Sequence, residues 1–575
     1  MAGERTIARL WQDAARAERA GPAYLHEVDG EWREVSWPEA DRAVHELANG
    51  LLSLGVQKGD VFAILARATL EWSLFDFALG LVGAVAAPIY ASSSARDVRY
   101  LLAYSDAVGV LLEDEEQRAK LGDTPVRHTL TFADLDALRA DGRAFAAAQP
   151  GALDERSASI DEDDLFTFLY TSGTTGPPKA CMIRHRNYYA MVQKGDELPE
   201  RLTRPGDVML LYLPLAHNYG RLLHLSAAYI GYTIAFLPDP LRAATELPRV
   251  RPTIFPSVPR VYEKIHAAVM AQFAELSGPR RRIADWALDV GRRVSRLRQD
   301  GRPLPPLLAA QHRVADRLVY SKIKERLGGR LRVANAGGAP LSRDIAEFFH
   351  ALDILILEGY GLSEVTTAAT VNIPSAYRFG TVGKPLPGIE LRLAEDGEIL
   401  IRSNTTFAGY YHDDEATRLT IDEEGFVHTG DVGHVDEDGF LVITDRKKDL
   451  IVTAGGKNVA PQNLENELKA HRIVSQVLVV GDRRPFIGAL VTVDPEAVDG
   501  LDETGVNAAV EAAVEAVNAD RSRFEQIKRF RVLPRDFSLE HDEVTPTLKL
   551  RRKVILDHFA EDVEALYAPD QSSSG

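Results

Sequence analysis

The stretch YTSGTTGPPKACMIRHRNYY, Tyr170–Tyr189, decides how the rest of the chain is read. A short apolar run, LFTFLY, leads into it. Thr171, Ser172, Gly173, Thr174, Thr175 and Gly176 then supply hydroxyls and unshielded backbone N–H groups, and Lys179 adds a charge. Chains build oxyanion cradles from such parts. The loop is not a Walker A loop, because GxxxxGK[ST] cannot be laid on GTTGPPKA, and the kinase signatures HRD and DFG are missing. A loop of this composition is often only a turn, so its surroundings must carry the reading.

Those surroundings alternate short apolar runs with helical patterns. VFAILAR, VAAPIY, GVLLED, VMLLYL, TIAFL, RLRVANA and DILILEG each read as a strand running into a polar or glycine-rich turn. That alternation predicts βαβ units around parallel sheets, with a ligand crevice at the carboxyl ends of the strands. GEILIRS and GFLVITD read instead as antiparallel strands. Beyond DRKKD, Asp445–Asp449, a new set of strand and helix signals predicts a separate small domain. The expected fold is α/β, with a large N-terminal domain over 1–447 and a small, mobile α+β domain over 448–575.

Composition excludes several classes. The 575 residues are 45% hydrophobic and 26% charged, as in ordinary globular proteins. A net charge of −17 argues against nucleic acid as a partner. The charged N-terminus lacks a signal-peptide core, and the longest apolar stretch falls short of the roughly 20 residues that cross a bilayer. Cys181 is the only cysteine, so no intramolecular disulfide forms and a reducing cytoplasm is expected. One basic segment, Gly278–Arg302, reads either as a solvated helix face or as a docking surface for membrane lipid or an anionic ligand. The final QSSSG reads as a disordered tail.

Further segments follow strands and carry chemistry. NAGGAPLS (Asn335–Ser342) offers small residues on which a flat base can lie. EGYGLSE (Glu358–Glu364) sets Tyr360 beside Ser363 and Glu364, and a carboxylate near phosphate points to Mg2+ bridging. HTGD brings Asp431 within reach of sugar hydroxyls, and TDRKKD adds Arg446. Taken singly these are a tight turn, a core tyrosine and a capping aspartate; their occurrence together in this order is what needs explaining.

Together with LPLAHNYGR, GGAPLS, TAGGKN and TPTLKLRR, these stretches identify the chain as a member of the adenylate-forming superfamily. It most resembles the long-chain acyl-CoA synthetase branch, through TIFPSVPRVYEKI and the helical insertion that follows it. The resemblance implies an AMP-forming acid–thiol ligase, which joins a large hydrophobic carboxylic acid to coenzyme A through an acyl-adenylate made from Mg-ATP. It implies that Thr171, Ser172, Gly173, Thr174, Thr175, Gly176 and Lys179 hold the β/γ-phosphates. It sets Tyr360 on adenine within Glu358, Gly359 and Gly361, with Gly337, Gly338 and Ala339 along the base's other side. Ser363 would contact the α-phosphate, Glu364 hold Mg2+, and Asp431 and Arg446 grip the ribose. His217 would stand beside the substrate carboxyl, with Asn218, Tyr219 and Leu222 lining the acyl pocket. Lys549 would bridge carboxylate and α-phosphate in the first step. Lys448 matches the family's hinge, about which the small domain turns to bring Gly455 and Gly456 along the pantetheine path.

One departure stands out: the family reads PKG where this chain reads PKA. Alanine in a left-handed conformation costs roughly 1–2 kcal/mol, and a methyl at Ala180 crowding the phosphates would slow adenylation selectively. The chain is then either an intact synthetase or one that mainly thioesterifies an adenylate supplied by a partner enzyme. Arg184, where relatives carry a small polar residue, is a second departure. A ligase that loads a carrier protein, and a non-catalytic acyl or nucleotide sensor, are the rival readings. The acid itself, a straight fatty chain or a bulky polycycle, is not legible.

Overall fold

A computed structural model describes residues 5–19, 21–171, 178–519, 521–545 and 549–568. Two large sheets form the body of the molecule. The six-stranded sheet runs His128–Thr131, Gly109–Leu112, Val61–Leu65, Val85–Ile89, Leu165–Thr171 and Lys179–Arg184 in spatial order. All its pairings are parallel except the last, where Lys179–Arg184 returns antiparallel beside Leu165–Thr171. The nine-stranded sheet is parallel through Ile356–Tyr360, Val333–Ala336, Ile254–Ser257, Val208–Leu211, Thr233–Phe236 and Tyr24–Val28, with antiparallel strands at both ends. Helices cover the sheets, which is why the central strands read as continuous apolar runs.

The predicted strands appear within a few residues of their sequence limits. Sequence reasoning passed over others, among them the Tyr24–Val28/Glu31–Val35 hairpin, the short Ile254–Ser257 strand interrupted by Pro256, and Lys179–Arg184. The last is consequential. Ala180 pairs with Tyr170 in that strand, its φ lies outside the positive range, and its carbonyl accepts the Tyr411 N–H at 2.9 Å. Its methyl is fully buried in the cluster with Leu65, Ile89 and Phe168. The left-handed strain anticipated from sequence therefore does not arise: the methyl packs into a sheet face. Cys181, next in the strand, is buried in the core on the opposite side.

An antiparallel four-stranded sheet, Glu390–Leu393, Glu398–Arg402, Val427–Val435 and Leu441–Arg446, completes the larger part. Beyond it lie the hairpin Ile451–Val452/Asn458–Val459 and the three-stranded sheet Val474–Val480, Ile487–Val493 and Ile527–Val532. Helices Pro461–Lys469, Glu503–Asn518, Arg552–His558 and Ala560–Tyr567 pack with these strands around a core drawn wholly from residue 451 onward. The fold is thus the expected α/β arrangement of a large sheet-rich part and a smaller α+β part. The tail QSSSG lies outside the described residues.

Candidate active site

The phosphate-loop candidates lie where the six-stranded sheet ends. Thr171 closes its strand, half-buried, its hydroxyl 3.5 Å from the Lys179 carbonyl. Ser172, Gly173, Thr174, Thr175 and Gly176 fall outside the described residues. The Lys179 ammonium pairs with Asp413 at 2.8 Å and stands 5.4 Å from the centre of the Tyr410 ring. Tyr410 in turn donates to Glu364 Oε1 at 2.7 Å. The turn 410–413 therefore joins the lysine of one motif to the carboxylate of another.

Glu364 sits in the helical turn Ser363–Val365, just after strand Ile356–Tyr360. The two residues that follow are strained: Thr366 has φ +53° and Thr367 +96°, values β-branched residues rarely adopt. Their hydroxyls hold them there. Thr366 donates to the Thr405 carbonyl at 2.6 Å and Thr367 to the Asn218 carbonyl at 3.2 Å. Strain of this kind persists only where the surroundings over-determine it, commonly at functional sites.

Tyr360, between Gly359 and Gly361, donates its hydroxyl to Asp431 Oδ2 at 2.6 Å. Burial and the Asp431 charge push the phenol well above its ordinary pKa, so it remains a donor. Asp431 is buried, and its other oxygen takes Arg446 Nε at 3.1 Å; the two residues face each other across adjacent strands. Glu358 lies deeper, accepting the Leu341 N–H at 3.0 Å, and burial pushes its carboxyl up to about 8. It props the loop that carries Gly337, Gly338 and Ala339. At Gly337 a side chain would press within 3.3 Å of the Tyr219 ring, and Gly338 adopts φ +84°. Only glycine meets both demands without strain.

His217 caps helix Asn218–Ile230, its Nδ1 accepting the Tyr219 N–H at 3.1 Å. That bond leaves the proton on Nε2. Burial, with the nearby Lys549 charge, drives the imidazole down to about 3, so it is a neutral donor. Asn218 is buried, while Tyr219 and Leu222 are partly buried against the main core. The helix is anchored deeper by Arg221, which is fully buried, pairs with Asp76 and donates to Thr167 Oγ1 at 2.6 Å. His224 approaches the same Asp76 at 3.4 Å.

Lys549 comes from the small C-terminal part. Its side chain keeps access to solvent, yet protein crowds around it. That crowding, with the like charge of Arg446, lowers its ammonium to about 8 against the pull of Asp431 and Glu364. Lys549 thus lies within electrostatic range of Glu364, Asp431 and Arg446, and His217 within range of Lys549. Lys448 is half-enclosed beside Arg446, its pKa lowered by burial and that charge. Gly455 and Gly456 are exposed in a hairpin whose backbone bonds run to Arg484 and Thr453, within the small part.

Comparison with known proteins identifies the family. The family profile of AMP-binding enzymes matches residues 11–411, and that of the AMP-binding enzyme C-terminal domain matches residues 448–571. The chain belongs to the AMP-binding enzyme family. It is 40% identical to the long-chain-fatty-acid–CoA ligase FadD15 of Mycobacterium bovis, over 96% of this chain and 95% of that protein. It is 30% identical to the long-chain-fatty-acid–CoA ligase ACSBG2 of Xenopus laevis, over 98% of this chain and 84% of that one. Among solved structures, the adenylation domain of a carboxylate reductase from Mycobacterium chelonae superposes with a TM-score of 0.79 at 23% identity, covering 98% and 91% of the two chains. The anthranilate CoA ligase AuaEII with anthranoyl-AMP gives 0.74 at 21%, covering 98% of both chains. The fold of this AMP-binding enzyme is theirs.

Reading the sequence missed Tyr410, Asp413, Thr366 and Thr367 as site residues. GYYHDDEAT did carry a signal, since an aspartate just before a helical run that opens with acidic residues is a capping pattern. Asp413 does cap helix Asp414–Thr420, accepting the Ala416 N–H at 2.9 Å. Its second role, on Lys179, depends on a distant segment and leaves no local trace.

Proposed function

We propose that this protein is an AMP-forming acid–thiol ligase that converts a long-chain or similarly large hydrophobic carboxylic acid to its coenzyme A thioester through an acyl-adenylate. The observation that carries the reading is the electrostatic grouping of Lys549 with Glu364, Asp431, Arg446 and His217. The substrate oxygen attacks the α-phosphorus of ATP, and the bond to pyrophosphate breaks. The CoA sulfur then attacks the acyl carbon and the bond to AMP breaks, with the thiol proton passing to solvent.

Both attacks build negative charge, and fixed donors stabilise it without reorganising. Lys549, still largely cationic at neutral pH, spans the carboxylate and the α-phosphate. Neutral His217 donates its Nε2–H to a carboxyl oxygen and adds no competing charge. Thr171, Lys179 and the loop 172–176 take the β/γ-phosphates, so Lys179 exchanges Asp413 for phosphate as nucleotide enters. Tyr360 and the Gly337–Ala339 loop flank adenine, Asp431 with Arg446 grips the ribose, and Ser363 meets the α-phosphate.

Mg2+ fits the donors present. Glu364 offers a hard, partly solvated oxygen, and among the described residues no cluster of three or more acidic, histidine or cysteine side chains competes for a metal. Mg2+ prefers one or two carboxylates plus substrate phosphates and water. Bound there, it would neutralise phosphate charge.

Lys448 serves as the hinge at the start of a domain spanning 448–575, after one spanning 1–447, and the Gly455–Gly456 hairpin reaches the site only after rotation. Ala180 gives no reason to invoke a separate adenylating partner. The acid is drawn from a membrane surface through the basic helix Gly278–Gln299 and the apolar residues Leu307, Val314 and Leu318 that follow it. No described helix is long and apolar enough to cross a bilayer.

The test separates the half-reactions. In Lys549→Ala, ATP-dependent adenylate formation is expected to fall by roughly a hundredfold or more, while thioester formation from supplied acyl-adenylate and CoA stays within about threefold. In the parent, adenylation should decline as pH rises through about 8, where Lys549 loses its proton, and Lys549→Arg should move that decline upward. Equal loss in both half-reactions would refute the assignment.

A further inference from the structure

Where strand Lys179–Arg184 meets helix His185–Glu197, a group of arginines stands outside the ligase site. Arg5 forms two bonds to Glu162, at 2.9 and 2.7 Å, and Arg186 pairs with Asp163 at 2.6 Å. Among the described residues Arg184 has no partner so close: its carboxylate contact is Asp163, at 3.9 Å. Two of the three guanidinium groups are thus held by close carboxylates, and Arg184 is the least engaged.

These arginines line a cavity of about 420 Å³ together with Ser403, Asn404, Thr406 and Phe407. The Thr406 hydroxyl oxygen is buried and has no hydrogen-bond partner among the described residues. A buried polar atom left unpaired is costly, roughly 1–3 kcal/mol, and rare without a water or ligand to satisfy it. The volume lies within the roughly 300–1,000 Å³ of small-molecule sites. Guanidinium groups beside a hydroxyl are the chemistry that recognises phosphoryl oxygens.

We propose that this cavity is a second binding site, taking a phosphate monoester whose phosphoryl group meets Arg184, with the Thr406 hydroxyl turning out of its buried position to join it. The wall that carries Thr406 leads back to the active site. The Asn187 amide holds the carbonyls of Asn404 and Thr406 at 3.2 and 3.0 Å. The Phe407 N–H donates to the Glu364 carbonyl at 2.9 Å. Its ring packs 4.9 Å from that of Tyr410, the residue bonded to the Glu364 carboxylate. A ligand that fixes Thr406 therefore acts on Glu364 from both its backbone and its side chain. By linkage, it changes the affinity for Mg-nucleotide by the factor that Mg-nucleotide changes its own. This coupling rests on the reading of Glu364 given above; binding to the cavity does not.

The experiment uses the full chain with its nucleotide site filled by a non-hydrolysable acyl-adenylate analogue. Inorganic phosphate and glycerol 3-phosphate are titrated separately by calorimetry. Saturable binding at one site is expected, with the ester tighter than phosphate because its organic body occupies the cavity. Arg184→Ser should weaken it by at least about tenfold, and Thr406→Val by about threefold, with thermal melting unchanged in Arg184→Ser. Binding undiminished in both variants, absence of saturation, or equal affinity for the two ligands overturns the site as assigned. Without the analogue, saturating glycerol 3-phosphate should shift KM for Mg-ATP by about threefold or more in the parent but not in Arg184→Ser. An unmoved KM beside intact binding overturns the coupling alone.

Discussion

Ala180 shows how a single methyl changes meaning once its surroundings are known. It fills a sheet face in the cluster with Leu65 and Phe168, well inside an ordinary strand. Ala180→Gly is therefore expected to destabilise the protein by about 1 kcal/mol and to leave ATP–pyrophosphate exchange within roughly twofold. A tenfold gain in exchange would restore the idea of a damaged loop. Glu358 makes the opposite point. Its folded pKa, about 8, stands above its ordinary 4.5, so the folded state binds the extra proton between those values. Stability from this group is full below pH 4.5 and is lost as pH rises toward about 8, by at most about 1.4 kcal/mol per pH unit. Glu358→Gln keeps an acceptor for the Leu341 N–H and should flatten that slope in denaturant titrations run at successive pH values. The hydroxyls and lysine of the opening loop were legible as phosphate chemistry because that chemistry is local. The setting of Ala180 was not, because it depends on an antiparallel partner and on Tyr411 far along the chain.

At the scale of elements, helix Asn218–Ile230 shows what periodicity conceals. The pattern gives an amphipathic helix after LPLAH, but nothing in it says that Arg221 and His224 are buried with Asp76. That network ties the helix to strand Leu165–Thr171 through Thr167, so Asn218, Tyr219 and Leu222 share one foundation with Thr171. Removing one partner of a buried ion pair leaves an uncompensated charge, costing about 3–5 kcal/mol. Asp76→Ala should lose that much in equilibrium unfolding, and the double change Asp76→Ala with Arg221→Met should recover part of it. No recovery would mean that the pair is not coupled. Strand existence was read well from apolar runs and their glycine-rich turns. Ile254–Ser257 escaped because Pro256 sits within it, and the Tyr24–Val28 hairpin because its faces are only partly buried.

At the scale of the whole molecule, the chain carries −17 net charge yet concentrates arginine on helix Gly278–Gln299. Leu307 is 72% exposed, Val314 50% and Leu318 43%, along the helical segment that follows. Apolar anchors beside cations suit an anionic bilayer surface. Cosedimentation with anionic vesicles should exceed that with zwitterionic ones and weaken with salt. Replacing Leu307, Val314 and Leu318 by serine should cut it by about tenfold. Equal partition to both vesicle types would contradict the reading. Sequence foresaw the basic helix but not its apolar neighbours, since exposure is a property of the packed molecule. The meeting of Lys549 with residues of the larger part was implied only by resemblance, because no local pattern records how two domains face each other.

The buried thiol of Cys181 has a chemical consequence of its own. An acyl-adenylate is an acylating agent, and any accessible thiolate near it would compete with coenzyme A. Here the only sulfhydryl in the chain is sealed inside a sheet, and burial pushes its pKa well above the ordinary value, keeping it protonated. The folded enzyme therefore offers no thiol to self-acylation or oxidation. A colorimetric thiol reagent added to a native reaction reads coenzyme A consumption without a background from the protein.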